Sequence, residues 1–401
     1  MAQCTLCERN SADISQVLGI CLACIRRRPQ EALEIAARVH RQSRLEFGLP
    51  AEPPDEPEGV TCRVCMNRCR ISENGTGYCG LRCNQDGHLM GVTSASGKLS
   101  WYHDPLPTNC VADRFCPGGT GCGFPRYAYR RGPEIGFKNL AVFFQGCSFN
   151  CLFCQNWHFR NQTLAAPYHS VEELVADVDA QTSCICYFGG DPSPQMPFSL
   201  NASKQARQKA MDRILRICWE TNGSINPDRL DQMMEIALES GGCVKFDLKS
   251  WDPVLHRVLT GVSNQTPLDN FRRAAGEISR RPVPPPLVAS TLLVPGYIDV
   301  QEVGAIAEFI AGLNSAIPYN LLAFHPQFLM SDMPVTSKML ATNCLQAARD
   351  CGLTRVRLPR SRLSRLITAA CTDTSRADTG SSQMTILGLS AMDLAMPIRC
   401  R

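Results

Sequence analysis

Apolar residues recur along this chain with two different periods. Asn139-Leu-Ala-Val-Phe-Phe-Gln145 is a short continuous apolar run between polar residues, the pattern of a strand buried on both faces. Similar runs follow at Thr182 to Phe188, Ile217 to Trp219, Val244 to Lys249, Leu287 to Val294 and Tyr319 to Phe324. Between them, apolar residues take helical spacing over 171–180, 203–217, 227–239, 268–278 and 300–313. Ser170, with Glu173 three positions on, makes a capping box for the first of these helices, and Pro267 suits the first position of another. One more helix is predicted over Thr336 to Cys351. Alternating strands and helices imply a parallel sheet and an α/β fold. Six units predict a partial (β/α)6 TIM-like barrel, with functional residues at the carboxyl ends of the strands.

Upstream, Pro29 to Phe47 carries Leu33, Ile35, Ala36, Val39 and Leu45 at helical spacing, with Arg and Glu between them. Ala51-Glu-Pro-Pro-Asp-Glu-Pro-Glu-Gly59 reads as a linker. The expected organisation is therefore a Cys4 zinc-ribbon-like module plus helix over 1–49 and a linker over 50–60. A cysteine-rich module and loop over 61–136 follows, then the barrel over 137–330. A C-terminal helix and tail occupy 331–401, and the tail from 369 has no clear period. Within 101–136, a long polar segment, Cys110, Cys116 and Cys122 are candidate metal ligands. Arg126, Arg130 and Arg131 with Tyr127 and Tyr129 are candidate linings of a substrate entrance.

Composition narrows the class. The 401 residues are 44% hydrophobic, enough for a sizeable core, and the formal net charge of +4 gives no reason to expect nucleic acid or an anionic membrane. No apolar run reaches the roughly 18 residues of a membrane span, and the N-terminus, Met-Ala-Gln-Cys-Thr-Leu-Cys, lacks a secretory signal pattern. The 23 cysteines come largely in C-x2-C groups, which points to metal ligation in a reducing compartment, hence the cytoplasm.

Three cysteine sets carry the chemistry. Cys4-x2-Cys7 and Cys21-x2-Cys24 have the spacing of one tetrahedral site, with zinc expected and rubredoxin-like iron the alternative, in a span too short to bury its own core. Cys62-x2-Cys65-x3-Cys69 with Cys79, and Cys83 nearby, could hold zinc or an auxiliary iron–sulfur cluster; spacing does not separate the two. Cys147-x3-Cys151-x2-Cys154 lies on the loop leaving the first barrel strand. Thiolates on one tight loop can converge on a soft metal centre. Three of them on a four-iron cluster leave one iron open to a small molecule.

The Cys147 loop, with Phe153 before its third cysteine, resembles the cluster motif of the radical S-adenosylmethionine (SAM) superfamily. Later segments resemble the branch that contains the pyruvate formate-lyase activating enzyme, the glycyl-radical-enzyme activases. They are Gly189-Gly190-Asp191-Pro192, Glu220-Thr221-Asn222-Gly223, Phe246-Asp247-Leu248-Lys249, Gly261-Val262-Ser263-Asn264 and Leu293-Val294-Pro295-Gly296. Asp191 and Glu220 depart from the Glu and Asp usual there. The cysteine string from Cys62 to Cys83 resembles an N-terminal module of related proteins, which gives its place in the chain and not its role.

The resemblance implies a [4Fe-4S] cluster on Cys147, Cys151 and Cys154 that chelates SAM. Gly189, Gly190 and Asp191 would hold the methionine amino group. Glu220, Thr221 and Asp247 would surround a monovalent cation, and Lys249 would neutralise the methionine carboxylate. Phe153, Asn222, Ser263, Asn264 and His325 complete the implied cofactor contacts. Reductive cleavage of SAM would give a 5′-deoxyadenosyl radical that abstracts hydrogen from a peptide, protein or small-molecule substrate, within walls that include Phe143, Phe144, Leu152 and Phe188. Flavodoxin or ferredoxin would supply the electron. An activase installing a glycyl radical on a partner enzyme is the alternative, although typical activases place extra clusters after the first motif and not before it. A zinc-binding scaffold without catalysis is a third reading.

Overall fold

The computed structural model describes residues 1–108 and 110–358, so the tail from 369 lies outside the described residues. Its centre is a sheet of eight strands: β1 (Leu99–Pro105), β2 (Lys138–Phe144), β3 (Thr182–Gly189), β4 (Arg216–Thr221), β5 (Val244–Asp247), β6 (Leu287–Leu293), β7 (Tyr319–Ala323) and β8 (Val356–Arg357). Their order across the sheet follows the chain from β1 to β8. β1 pairs antiparallel with β2, Leu99 opposite Phe144, and every other neighbouring pair is parallel. The fold is thus α/β.

The six interior strands fall on the six apolar runs. The two edge strands do not: β1, Leu-Ser-Trp-Tyr-His-Asp-Pro, is mostly half-exposed and carries the polar residues an edge tolerates, and β8 is only two residues long. The helices differ more: Gln265–Ala275 starts two residues before Pro267, Pro253–Thr260 falls outside the expected set, and one further helix ends early. It runs Met196–Ala210, with a proline in its first turn and Met211 at φ +53° just past its end, so residues 214–217 are released to enter β4. The capping box at Ser170 and Glu173 forms as the sequence predicts. Among the described residues, no helix is long and apolar enough to cross a membrane.

Side chains alternate between the two faces of the sheet. Tyr187, Trp219 and Phe246 face the helices. The Ser203 hydroxyl donates to Tyr187 Oη, Trp219 Nε1 donates to Ser199 Oγ at 3.2 Å, and Phe246 meets Phe271 edge-on at 5.4 Å. The opposite face carries Cys186, Cys218, Glu220, Cys243 and Lys245, with residues from 110–134 laid against it. At the amino ends of β3 and β4 this segment is locked by a buried ion pair. Arg216 donates to both carboxylate oxygens of Glu134 at 2.9 and 2.7 Å, and Ser183 Oγ donates to Glu134 at 2.7 Å.

That arrangement corrects one expectation. Arg216 also donates to the Tyr127 carbonyl, and Tyr129 Oη donates to Ile214 O just before β4. The 126–131 segment therefore sits at the amino ends of the strands and not at an entrance over their carboxyl ends. The backbone of Tyr127 and Tyr129 joins the Arg216–Glu134 pair, while Arg126, Arg130 and Arg131 are exposed.

Upstream of the sheet, the helices Leu22–Arg27 and Pro29–Leu45 follow the first cysteine set. Two small antiparallel ribbons, Val60–Thr61 with Arg70–Ile71 and Arg82–Gln85 with His88–Gly91, carry the second.

Candidate metal centre at the strand ends

The loop bearing Cys147, Cys151 and Cys154 leaves the carboxyl end of β2. Its neighbour, the loop after β3, is drawn against it backbone to backbone. Gly190 N–H donates to Phe144 O and Asp191 N–H to Gly146 O, both at 2.9 Å. A Cβ on Gly190 would stand 2.3 Å from Gly146 O, and Gly189 has φ +109°. Only glycine meets both demands. The close approach expected of this pair toward a ligand is, in the structure, an approach to the chain itself.

Asp191 is buried and joins three strand ends. Its carboxylate accepts from Ser193 N–H at 2.8 Å, Thr221 Oγ1–H at 3.0 Å and Asn222 N–H at 2.8 Å. Burial raises its pKa, and these donors oppose the rise. Asn222 Nδ2 in turn reaches Ser148 Oγ at 3.0 Å and Cys147 Sγ at 3.6 Å. A second network braces the loop from the other side. Asn150 Nδ2 donates to His40 Nδ1 at 3.0 Å, His40 Nε2 donates to Val258 O at 3.0 Å, and Arg160 donates to Asn150 Oδ1 at 3.2 Å. Backbone bonds from Asn150 and Leu152 to Thr260 and Leu259 complete the brace. His40, Asn150 and Arg160 were not foreseen, because their partners lie far away in the chain and no local pattern marks them.

The three thiols suit a metal cluster on two grounds. Burial pushes Cys151 up to about 12 and Cys147 well above its ordinary value, so thiolates here require a compensating cation. Their sulfurs also do not converge on a point. Among the described residues only two groups bring three or more ligand atoms within 4.8 Å of one another, and this loop is in neither. Spread thiols fit a body larger than one ion.

The other predicted residues divide. Lys249 pairs with Asp247, and its ammonium lies 5.8 Å from the centre of the Phe153 ring. Burial works against the Lys249 charge, yet Asp247 and Cys151 lift its pKa above the ordinary value. These residues stand together beside the cluster loop. Thr221 and Glu220, adjacent on β4, point to opposite faces. Thr221 meets Asp191, while Glu220 meets Lys245 Nζ at 2.7 Å, so the three-residue cation cage does not assemble. Asn264 Nδ2 is engaged by the carbonyls of Ser250 and Trp251 at 3.3 and 2.7 Å. Ser263 is exposed and accepts from Gln265 N–H. His325 is half-buried just past β7.

The two convergent groups are elsewhere. Cys4, Cys7, Cys21 and Cys24 form one, with Cys7 and Cys21 sulfurs 3.8 Å apart. Burial opposes ionisation of Cys4, but the N–H groups of Cys21, Leu6 and Cys7 bring its thiol down to about 6. Cys110, Cys186 and Glu220 form the other. Lys245 Nζ already sits among them, at 2.9, 3.1 and 2.7 Å, and takes the place a cation would occupy. Cys116 and Cys122 do not join Cys110.

Residues 141–310 match the Radical SAM superfamily. The chain is 33% identical over 138 residues to the isethionate sulfite-lyase activating enzyme of Oleidesulfovibrio alaskensis, covering 34% of this chain and 40% of that relative. It is 26% identical over 205 residues to the pyruvate formate-lyase 1-activating enzyme of Escherichia coli, covering 48% of this chain and 76% of that one. A solved domain of a pyruvate formate-lyase activating enzyme from Bacteroides vulgatus aligns with 43% of this chain and 96% of its own, at 24% identity and a TM-score of 0.36.

Proposed function

We propose that this chain, whose residues 141–310 match the Radical SAM superfamily, is an enzyme of that type: it holds a [4Fe-4S] cluster on Cys147, Cys151 and Cys154 and uses it to abstract hydrogen from a peptide, protein or small-molecule substrate. The observation that carries the reading is the loop itself: three buried or half-buried thiols, too widely spaced for a single ion, braced from both sides. When bound, the cluster and SAM would supply the one-electron cleavage that yields the 5′-deoxyadenosyl radical.

The chain's own residues prepare the site. Asp191 holds the ends of β3 and β4 in register with the cluster loop and so acts as a positioning residue. Lys249 presents a permanent positive charge beside Phe153, suited to a carboxylate such as that of methionine. Gly189 and Gly190 leave room for no side chain over the loop. Leu152 and Phe153, with Phe143 and Phe188 packed edge-on at 5.5 Å, offer an apolar wall that keeps water and thiols from a radical. We further read the six interior strands as a partial barrel over 137–330, preceded by a zinc module on Cys4, Cys7, Cys21 and Cys24.

A second reading is supported by the relatives' names. Activating enzymes act on proteins, so a protein substrate receiving a glycyl radical, with a flavodoxin-type electron donor, is the alternative. One experiment tests the common core of both. Anaerobically purified protein is given dithionite and SAM, and 5′-deoxyadenosine is measured. Formation that disappears in a Cys147/Cys151/Cys154→Ala variant supports the assignment; iron-free protein that cleaves nothing ends it.

A further inference from the structure

Cys62, Cys65, Cys69 and Cys79 are the strongest chemical feature that the site above leaves unused. The first three sit in the turn joining Val60–Thr61 to Arg70–Ile71, closed by Cys62 N–H to Cys69 O at 2.8 Å. Cys79 lies before the second ribbon. All four line one pocket, with Arg68 and Arg82 on its wall. Cys62, Cys65 and Cys69 are 8%, 7% and 5% exposed, so the set faces inward. Tyr78 N–H points at Cys69 Sγ, 3.4 Å away, a contact suited to a thiolate. Cys83 does not line the pocket.

Spacing separates zinc from iron here. Four thiolates about 2.3 Å from one zinc stand about 3.8 Å apart in a tetrahedron. The Cys4 set shows that separation, 3.8 Å between Cys7 and Cys21. In the second set no three sulfurs come within 4.8 Å of one another; they surround a pocket instead of meeting at a point. The Cys147 loop shares that wide spacing. Two arginines on the wall also suit a group that carries net negative charge once four thiolates bind it.

Position then suggests a role. The pocket is fastened directly to the cluster loop and the adjoining strand ends. Asn67 Nδ2 donates to Ser148 O at 2.8 Å, next to Cys147. Met66 N–H donates to Ser224 O, and Cys65 bridges Ile225. Arg82 donates to Pro194 O at 2.8 Å, and Leu81 packs on Gly146.

We propose that Cys62, Cys65, Cys69 and Cys79 ligate a second [4Fe-4S] cluster that relays electrons to the one on Cys147, Cys151 and Cys154. The relay rests on the function proposed above; the metal assignment does not. The step balances as one electron. A one-electron protein donor of the flavodoxin or ferredoxin class is oxidised, the second cluster is reduced from 2+ to 1+, and it returns to 2+ as the first becomes 1+. No proton or bond changes hands in the relay.

The test uses the full chain, reconstituted anaerobically with iron and sulfide, with metals counted and the iron read by Mössbauer spectroscopy. The Cys147/Cys151/Cys154→Ala variant, which leaves the second module untouched, should keep about four irons and a [4Fe-4S] signature. Zinc in their place would overturn the assignment. A Cys62/Cys79→Ser variant should still cleave SAM with dithionite but lose at least tenfold with reduced flavodoxin. An unchanged flavodoxin-driven rate after loss of that iron would overturn the relay. If this variant fails to fold, the iron count in the alanine variant alone decides the metal site, and flavodoxin-driven reduction of the iron it retains decides the relay: retained iron that flavodoxin leaves oxidised overturns it. Wild-type protein with iron only in the second module would defeat the function proposed for the Cys147 loop and leave the metal assignment standing.

Discussion

Two four-cysteine sets stand at the head of the chain, and they resemble each other in sequence more than in space. Cys4, Cys7, Cys21 and Cys24 converge until all four sulfurs lie within 4.8 Å of one another. Cys62, Cys65, Cys69 and Cys79 ring a pocket. The first set is fastened to the rest of the fold by Ser15 N–H to Tyr297 Oη, Tyr297 Oη–H to Ile20 O, Gln16 N–H to Asp332 and Arg26 to Asp299 and Glu302, and its Ile14, Leu18, Ile20 and Ile25 join the same apolar core as the sheet. The second lies against the loop of Cys147, Cys151 and Cys154. The difference teaches that a C-x2-C pair announces a metal but not its size. Size is set by how the two halves of the site are held apart, and the rest of the fold does that.

The comparison breaks most visibly at the first set, for which we propose zinc. Cys24→Ser should abolish zinc binding, worth on the order of 10 kcal/mol in small zinc modules. It should open residues 1–27 to trypsin at Arg26 and Arg27, Arg28 being followed by a proline that blocks cleavage, while the sheet stays folded. Protection equal to wild type would mean that the contacts to Tyr297 and Asp299 suffice without metal.

A metal-independent control sharpens it. Arg216 and Glu134 are both 0% exposed, and Glu134→Gln leaves the guanidinium unpaired, at a cost of about 3–5 kcal/mol. The denaturant midpoint should fall accordingly with iron and zinc contents unchanged.

A smaller effect comes from two buried histidines, His40 on the helix between the two sets and His256 on Pro253–Thr260. Burial holds His40 and His256 down to about 4, so each is neutral when folded. Above pH 6.5 both are neutral in either state and contribute nothing. As pH falls from 6.5 toward 4, the unfolded chain takes up protons that the folded chain refuses, and stability drops. At about 1.4 kcal/mol per unit, the loss approaches about 3 kcal/mol for each histidine. His256→Gln and His40→Gln should each flatten the pH dependence of the urea midpoint between pH 7.5 and 5.5; an unchanged slope would contradict the assignment. The smallest effect expected is that of Cys83→Ser. That residue lies outside the pocket, so metal content should not change and stability should stay within about 0.5 kcal/mol.

The cluster loop and the six interior strands were legible because their signals are local. An apolar run needs only its own residues to declare a buried strand, and three cysteines on one loop cannot be far apart. β1 was not legible, since an edge strand need not be apolar. The brace of His40, Asn150 and Arg160 was not legible either, because its members are separated by up to 120 positions and meet only after the helix Pro29–Leu45 docks. Glu220 was assigned by motif to a cation site; the alternation of β4 turned it instead toward Lys245, Cys110 and Cys186.

By itself, the sequence determined the α/β alternation, the motifs that fall at the strand ends, and the three cysteine sets, since each depends on spacings of a few residues. Tertiary structure alone decided which face each strand residue serves and what plugs the amino ends of the sheet. It also decided that one cysteine set closes to the span of a single ion while another opens around a pocket. Those outcomes depend on distances between residues remote in the chain, and only packing fixes them.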